Sequence, residues 1–151
     1  MKNSADRTTA SAQLAIALSA NLEATQEQAI LAQGQAAEKA AQMGVNANIA
    51  ILDKAGYLKS FLRMDDAFLG SIDISLGKAK TAMLFRMNSE AVGQFLSPEA
   101  AAYGMVSTSG GLVGFKGGMP IRSGGKIIAY IGVSGGSPDQ DFEIATAGSE
   151  I

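Results

Sequence analysis

Lys126-Ile127-Ile128-Ala129-Tyr130-Ile131-Gly132-Val133-Ser134-Gly135-Gly136-Ser137-Pro138-Asp139-Gln140 holds a strand, a glycine turn and a helix start in immediate succession. Ile127, Ile128, Ala129, Tyr130 and Ile131 form an unbroken apolar run, so the strand they build is expected to be central in its sheet. Ser137-Pro138-Asp139-Gln140 combines an N-cap hydroxyl, a first-turn proline and a glutamine at capping-box spacing. That combination predicts a last helix through Ile144 toward Gly148.

Upstream, residues 110–133 are punctuated by glycine, which predicts strands at 112–115, 120–122 and 126–133 in an antiparallel meander. Pro120 cannot donate to a sheet ladder and belongs at a strand start or on an edge. Ile49-Ala50-Ile51-Leu52 and Leu58-Lys59-Ser60-Phe61-Leu62-Arg63 read as a hairpin around Asp53-Lys54-Ala55-Gly56.

Helices are expected between these strands. Thr25-Gln26-Glu27-Gln28 has capping-box spacing, and Ala29, Ala32, Ala36, Ala40 and Met43 repeat at helical intervals before Gly44, with Gly34 as a weak point. Ile72, Leu76, Ala79 and Met83 share one helical face, which predicts a helix over 71–86 with Ser71 as N-cap. Residues 88–104 read as one or two short helices, one of them opened by Ser97-Pro98-Glu99. The order α, β, β, α, α, β, β, β, α suits an α/β (α+β) domain, an antiparallel sheet flanked by helices, and not a Rossmann fold.

Composition narrows the function. The 151 residues suit one domain; 47% are apolar and only 17% charged, so part of the surface is expected to be buried between subunits of a homo-oligomer. The formal charge of −2 is spread without a basic stripe, which argues against nucleic acid. Cysteine and histidine are both absent, removing disulfides, thiolate chemistry, imidazole bases and imidazole metal ligands. Residues 10–20 imitate a short signal peptide after Lys2 and Arg7. Asp6 spoils the basic region, however, and Ser11, Gln13 and Ser19 interrupt the apolar run. The run is too short to cross a bilayer, so a cytoplasmic location without membrane attachment is expected.

Several strings together resemble the GlcG/HbpS-like family, also called the haem-degrading domain family, and are similar to the C-terminal domain of PduO-like adenosyltransferases. They are Ala50-Ile51-Leu52-Asp53-Lys54-Ala55-Gly56-Tyr57-Leu58, Phe61-Leu62-Arg63-Met64-Asp65-Asp66-Ala67, Gly70-Ser71-Ile72, Lys78-Ala79-Lys80-Thr81-Ala82, Gly117-Gly118-Met119-Pro120-Ile121 and Ile131-Gly132-Val133-Ser134-Gly135-Gly136. The resemblance covers residues 22–151, leaving 1–21 as an N-terminal arm. It implies a five-stranded antiparallel sheet and assemblies from dimers to octamers. Its members are associated with haem, with corrinoid, or with glycolate and diol catabolic gene clusters. Members often carry histidine after the hairpin glycine, where this chain has Tyr57, so the resemblance makes Tyr57 the candidate haem ligand, as a phenolate.

The residues themselves suggest a pocket for a small acid. Ser134, Gly135 and Gly136 before a helix start offer backbone N–H groups to an anion, or else simply form a turn that needs positive φ. Arg63, Asp65 and Asp66 leave a strand while Lys78 and Thr81 lie one turn apart on a helix, and Gly117-Gly118 shapes a bend nearby. Arg63 or Lys78 would be the anion partner. Asp65-Asp66 alone is poor evidence for a metal, and none is expected. Three roles stay open: a small-molecule binder holding an organic acid or a tetrapyrrole, an enzyme using Lys78 or aspartate for acid–base chemistry, and a structural or regulatory oligomer subunit.

Overall fold

The computed structural model describes residues 7–13 and 22–151; 7–13 are helical and exposed, and the rest of the arm and of the 10–20 stretch lies outside the described residues. The domain runs α1 (Gln26–Gln42), β1 (Asn48–Leu52), β2 (Leu58–Arg63), α2 (Gly70–Phe85), α3 (Ser89–Gly93), a 3-10 stretch (Tyr103–Gly110), β3 (Gly118–Ser123), β4 (Lys126–Ser134) and α4 (Pro138–Ala147).

The sheet has four antiparallel strands in the order β2-β1-β4-β3, so β4 is central and Pro120 lies on an edge strand, opposite Tyr130. Ile128, Ile131 and Val133 of β4 are fully buried, and each such side chain contributes roughly 1.5–3 kcal/mol. Side chains alternate across a strand, so Gly132 faces the opposite side from Ile131 and Val133. Ile131 and Val133 join Ile49, Ile51 and the alanines of α1 in one core, closed by Ile144 of α4. On the other side α2 packs over β4, β1 and β3, and a Cβ on Gly132 would collide with the Ser75 carbonyl.

Both capping boxes form: Thr25 with Gln28, and Ser137 with Gln140. α1 continues unbroken through Gly34, which has open space around it.

Four expectations need correction. The sheet has four strands, not five, because 112–115 is not a strand among the described residues. Leu112 N–H donates to the Val106 carbonyl and Val113 N–H to Thr81 Oγ1, while Gly114 lies tight on the backbone of Gly93. Those partners hold the segment across α2 and α3 instead of in a ladder.

Ser71 does not cap α2; the cap position is Leu69, with no side-chain hydrogen bond. Nor does α2 bury the face of Ile72, Leu76 and Met83. Its buried side is Ser71, Ser75, Lys78, Ala79, Thr81 and Ala82, because the close approach to Gly132 admits only small residues or one engaged by partners. Finally, Ser97-Pro98-Glu99 makes a turn, closed by Ala100 N–H on the Ser97 carbonyl, and opens no helix.

Candidate functional site

Lys78 is wholly buried at the centre of α2. Its Nζ donates to Asp141 Oδ2 at 2.8 Å and to the Val133 carbonyl at 2.8 Å, and lies 4.7 Å from the centre of the Phe115 ring. Burial pushes the ammonium below its usual range, and the Asp141 carboxylate opposes that shift without cancelling it. Asp141 Oδ1 in turn accepts from the N–H groups of Gly135 (3.1 Å) and Gly136 (2.8 Å). One internal carboxylate therefore takes up the two glycine donors in which an external anion was expected.

Lys78, Gly117, Gly118, Ser134, Gly135 and Gly136 do come together around this pair. A Cβ on Gly117, whose φ is +125°, would lie 2.9 Å from Lys78 Nζ, and one on Gly118 would strike the Lys78 carbonyl. Gly135 is needed for a different reason from the one expected. Its φ is not positive, but a Cβ there would meet the Asn46 carbonyl and lie 2.7 Å from Ala47 Cα. Thr81 is buried, its hydroxyl accepting from Val113 N–H. Ser134 ends β4 and is buried.

Arg63 and Asp65 do not join this cluster. They line a separate groove of about 350 Å³ with Ala37, Asn46, Leu62 and Met64. Asp66 beside them has φ 62°, and no group of three or more potential metal-ligating acids occurs among the described residues. Tyr57 is 74% exposed on the hairpin, its N–H held by Asp53 Oδ1 at 2.9 Å. The preceding Gly56 packs against the Met83 side chain.

A groove of about 760 Å³ is lined by Lys54, Met83, Leu84, Arg86, Lys126, Ile127 and Tyr130. The β1–β2 turn supplies Lys54, the end of α2 supplies Arg86, and the start of β4 supplies Lys126. These three cations make no ion pair among the described residues, and no acid lines the groove. Beside the groove, Glu23 Oε1 accepts from Lys54 N–H at 2.8 Å. Tyr130 is held neutral, its phenol pushed up by burial although Arg86 and Arg122 pull the other way. Such a surface of apolar side chains with clustered positive charge suits an anionic organic molecule.

Arg86 also lines a second groove, of about 440 Å³, with Arg122, Asn88, Thr146, Ser149 and Glu150. Its backbone is left-handed, φ 55° and ψ 37°, at the end of α2, where glycine is the usual residue. A strained non-glycine residue at such a position is a functional hint in its own right.

Sequence reasoning missed Asp141, Lys54, Arg86, Arg122 and Lys126. A lysine on a helix face of small residues requires a buried carboxylate, which was the available signal for Asp141. The groove cations come from separated segments and carried no local signal.

Residues 24–150 match the family described as haem degrading protein HbpS-like. An uncharacterized 15.0 kDa protein in the dhaT-dhaS intergenic region of Citrobacter freundii is 40% identical over 108 residues, 71% of this chain and 76% of that protein. Protein GlcG of Escherichia coli K12 is 34% identical over 106 residues, 70% of this chain and 75% of GlcG. The crystal structure of the PduOC:heme complex superposes with a TM-score of 0.78 at 31% identity, covering 84% of this chain and 93% of that one. With sequence and fold in agreement over nearly the whole described domain, the chain belongs to the HbpS-like family.

Proposed function

We propose that this chain is a small-molecule-binding protein whose anionic ligand occupies the larger groove, with a carboxylate-bearing tetrapyrrole as its first candidate. The observation that carries this reading is the meeting of Lys54, Arg86 and Lys126, none of them ion-paired, beside Met83, Leu84 and Ile127. The cations suit propionate groups and the apolar side chains suit a ring system. The likeness to the PduOC:heme complex supports the same ligand class.

The chain has no imidazole, so iron ligation would fall to oxygen or sulfur. The family resemblance points to Tyr57, displayed beside the Gly56 against which Met83 packs, as the phenol for that role; Tyr130 lines the groove itself but is buried. Bound haem would supply redox chemistry; the chain's part would be to hold its carboxylates and ring.

Hemin titration tests the reading. Saturable binding is expected in the wild type. Lys126→Gln should weaken it about tenfold, as expected for one charge-assisted contact, and Lys116→Gln, outside the groove, should leave it unchanged. Tyr57→Phe should alter the spectrum of the complex. Equal affinity in all variants would refute the groove.

The enzyme reading with Lys78 as acid–base has less support, since Lys78 is buried and its ammonium is held by the Asp141 carboxylate and the Val133 carbonyl. Self-association of the domain is favoured by Tyr57, Phe68 and Leu69, each at least 70% exposed. Light scattering at micromolar concentration tests it, with a 15.5 kDa particle as the contrary result. The arm 1–21 would add to such contacts, and a cytoplasmic setting fits the lack, among the described residues, of any helix long and apolar enough to cross a membrane.

A further inference from the structure

We infer that the smaller groove is a second binding site, distinct from the larger one although Arg86 lines both, and that it takes a hydroxy monocarboxylate. The groove lies between the end of α2, the edge strand β3 and α4. Its two cations are Arg86 and Arg122, and its acid is Glu150. The charged residues lining the larger groove are all cations. Two guanidiniums against one carboxylate suit a ligand with a single negative charge, and a second charge would face Glu150.

The remaining polar groups select for a hydroxyl. Thr146 Oγ1 already donates to the Phe142 carbonyl at 2.8 Å, and Ser149 Oγ donates to the Thr146 carbonyl at 2.8 Å. Asn88 Nδ2 donates to Glu90 Oε1 at 3.0 Å. A hydroxyl oxygen whose proton is committed can still accept, and an amide whose N–H₂ is engaged still presents its carbonyl. The groove thus offers guanidinium donors for a carboxylate and oxygen acceptors for an O–H. A hydroxy acid carries that combination, whereas a plain carboxylic acid lacks the donor.

The volume of about 440 Å³ lies within the range of small-molecule sites, and Phe142 supplies an apolar wall for a short carbon chain.

The probes are L-lactate, propionate and malonate, titrated calorimetrically into the full chain without haem. Lactate should bind saturably, about fivefold more tightly than propionate, the increment of one neutral hydrogen bond. Malonate should bind no more tightly than lactate. Arg122→Gln should weaken lactate about tenfold, while Lys126→Gln, which touches only the larger groove, should not.

Arg122 Nη1 also donates to the Gly125 carbonyl in the β3–β4 turn at 3.2 Å, so a second variant avoids that turn. Thr146→Val should bring lactate down toward the propionate level and leave propionate unchanged, with unligated melting confirming that both variants fold. Equal binding of lactate and propionate, tighter malonate, or lactate binding indifferent to Arg122→Gln and Thr146→Val would overturn the proposal. These titrations contain no hemin, so their failure is distinct from failure of the larger groove.

Discussion

Lys78 Nζ and Asp141 Oδ2 stand 2.8 Å apart with both side chains almost wholly out of solvent, joining the middle of α2 to the first turns of α4. Through the other oxygen of Asp141 the same link holds the Gly135 and Gly136 N–H groups. Helix, glycine turn and strand end are therefore fixed by one ion pair. A region expected to receive an anion has its own.

Removing one partner should be costly. Lys78→Met leaves Asp141 buried without its cation, and the loss should be about 3–5 kcal/mol in urea unfolding. Lys78→Met/Asp141→Asn should recover at least about 1 kcal/mol of that. The asparagine oxygen still accepts from the glycine N–H groups, and no buried charge is left over. A double variant less stable than Lys78→Met would reject this account.

The pair also has a pH signature. Burial holds the Lys78 ammonium below its ordinary 10.5, so between the lowered value and 10.5 the unfolded chain binds the extra proton. Stability contributed by this group then rises with pH across that window. Tyr130 works in the opposite direction: its phenol is raised above 10.0, so stability falls as pH climbs past 10.0 through the raised value. The difference in unfolding free energy between wild type and Lys78→Met, followed from pH 7 to 10.5, should grow on the alkaline side. A flat difference contradicts the assignment.

Local chemistry was legible and distant pairing was not. Ser137 and Gln140 announce their helix because both halves of a capping box lie within one turn, and Pro120 announces an edge because it lacks a donor. The buried face of α2 could not be read from Ile72, Leu76 and Met83, since what decides it is Gly132, far along the chain, which lets the helix backbone approach. The strand expected at 112–115 failed for a related reason: Thr81 and Val106 supply the partners that a neighbouring strand would have supplied. Arg63 and Lys78 share a sequence neighbourhood yet face different surroundings, one lining an open groove and one buried against Asp141.

The glycine turn separates close approach from conformational need. A Cβ on Gly135 would press on the backbone of Asn46 and Ala47, whereas on Gly136 it would meet the flexible Gln140 side chain. Gly135→Ala should therefore destabilise by about 1–3 kcal/mol, and Gly136→Ala by less. Thermal melting of the two variants decides it, and equal losses would mean that the Asn46 contact is easily relieved.

Arg86 poses a conflict between stability and binding. Its left-handed backbone carries a cost of about 1 kcal/mol that glycine avoids. Arg86→Gly should accordingly melt at the same or a higher temperature while losing affinity for both hemin and lactate. A variant that melts lower, or that binds both ligands as before, would show that ligand binding is not what keeps arginine at the strained position.

Since Arg86 lines both grooves, the two ligands should not be indifferent to one another. One guanidinium turned toward a carboxylate in the larger groove gives up its alignment with a carboxylate in the smaller one. Saturating hemin should therefore raise the lactate Kd about fivefold or more, a coupling in the range usual for linked sites. Reciprocity then requires lactate to raise the hemin Kd by the same factor, which provides an internal check. Lys126→Gln lowers hemin affinity without touching the shared residue, so at saturation the coupling factor should persist. In Arg86→Gly the coupling should vanish along with most of the binding. If hemin leaves lactate affinity unchanged in the wild type, Arg86 serves one groove at most, and the grooves act separately.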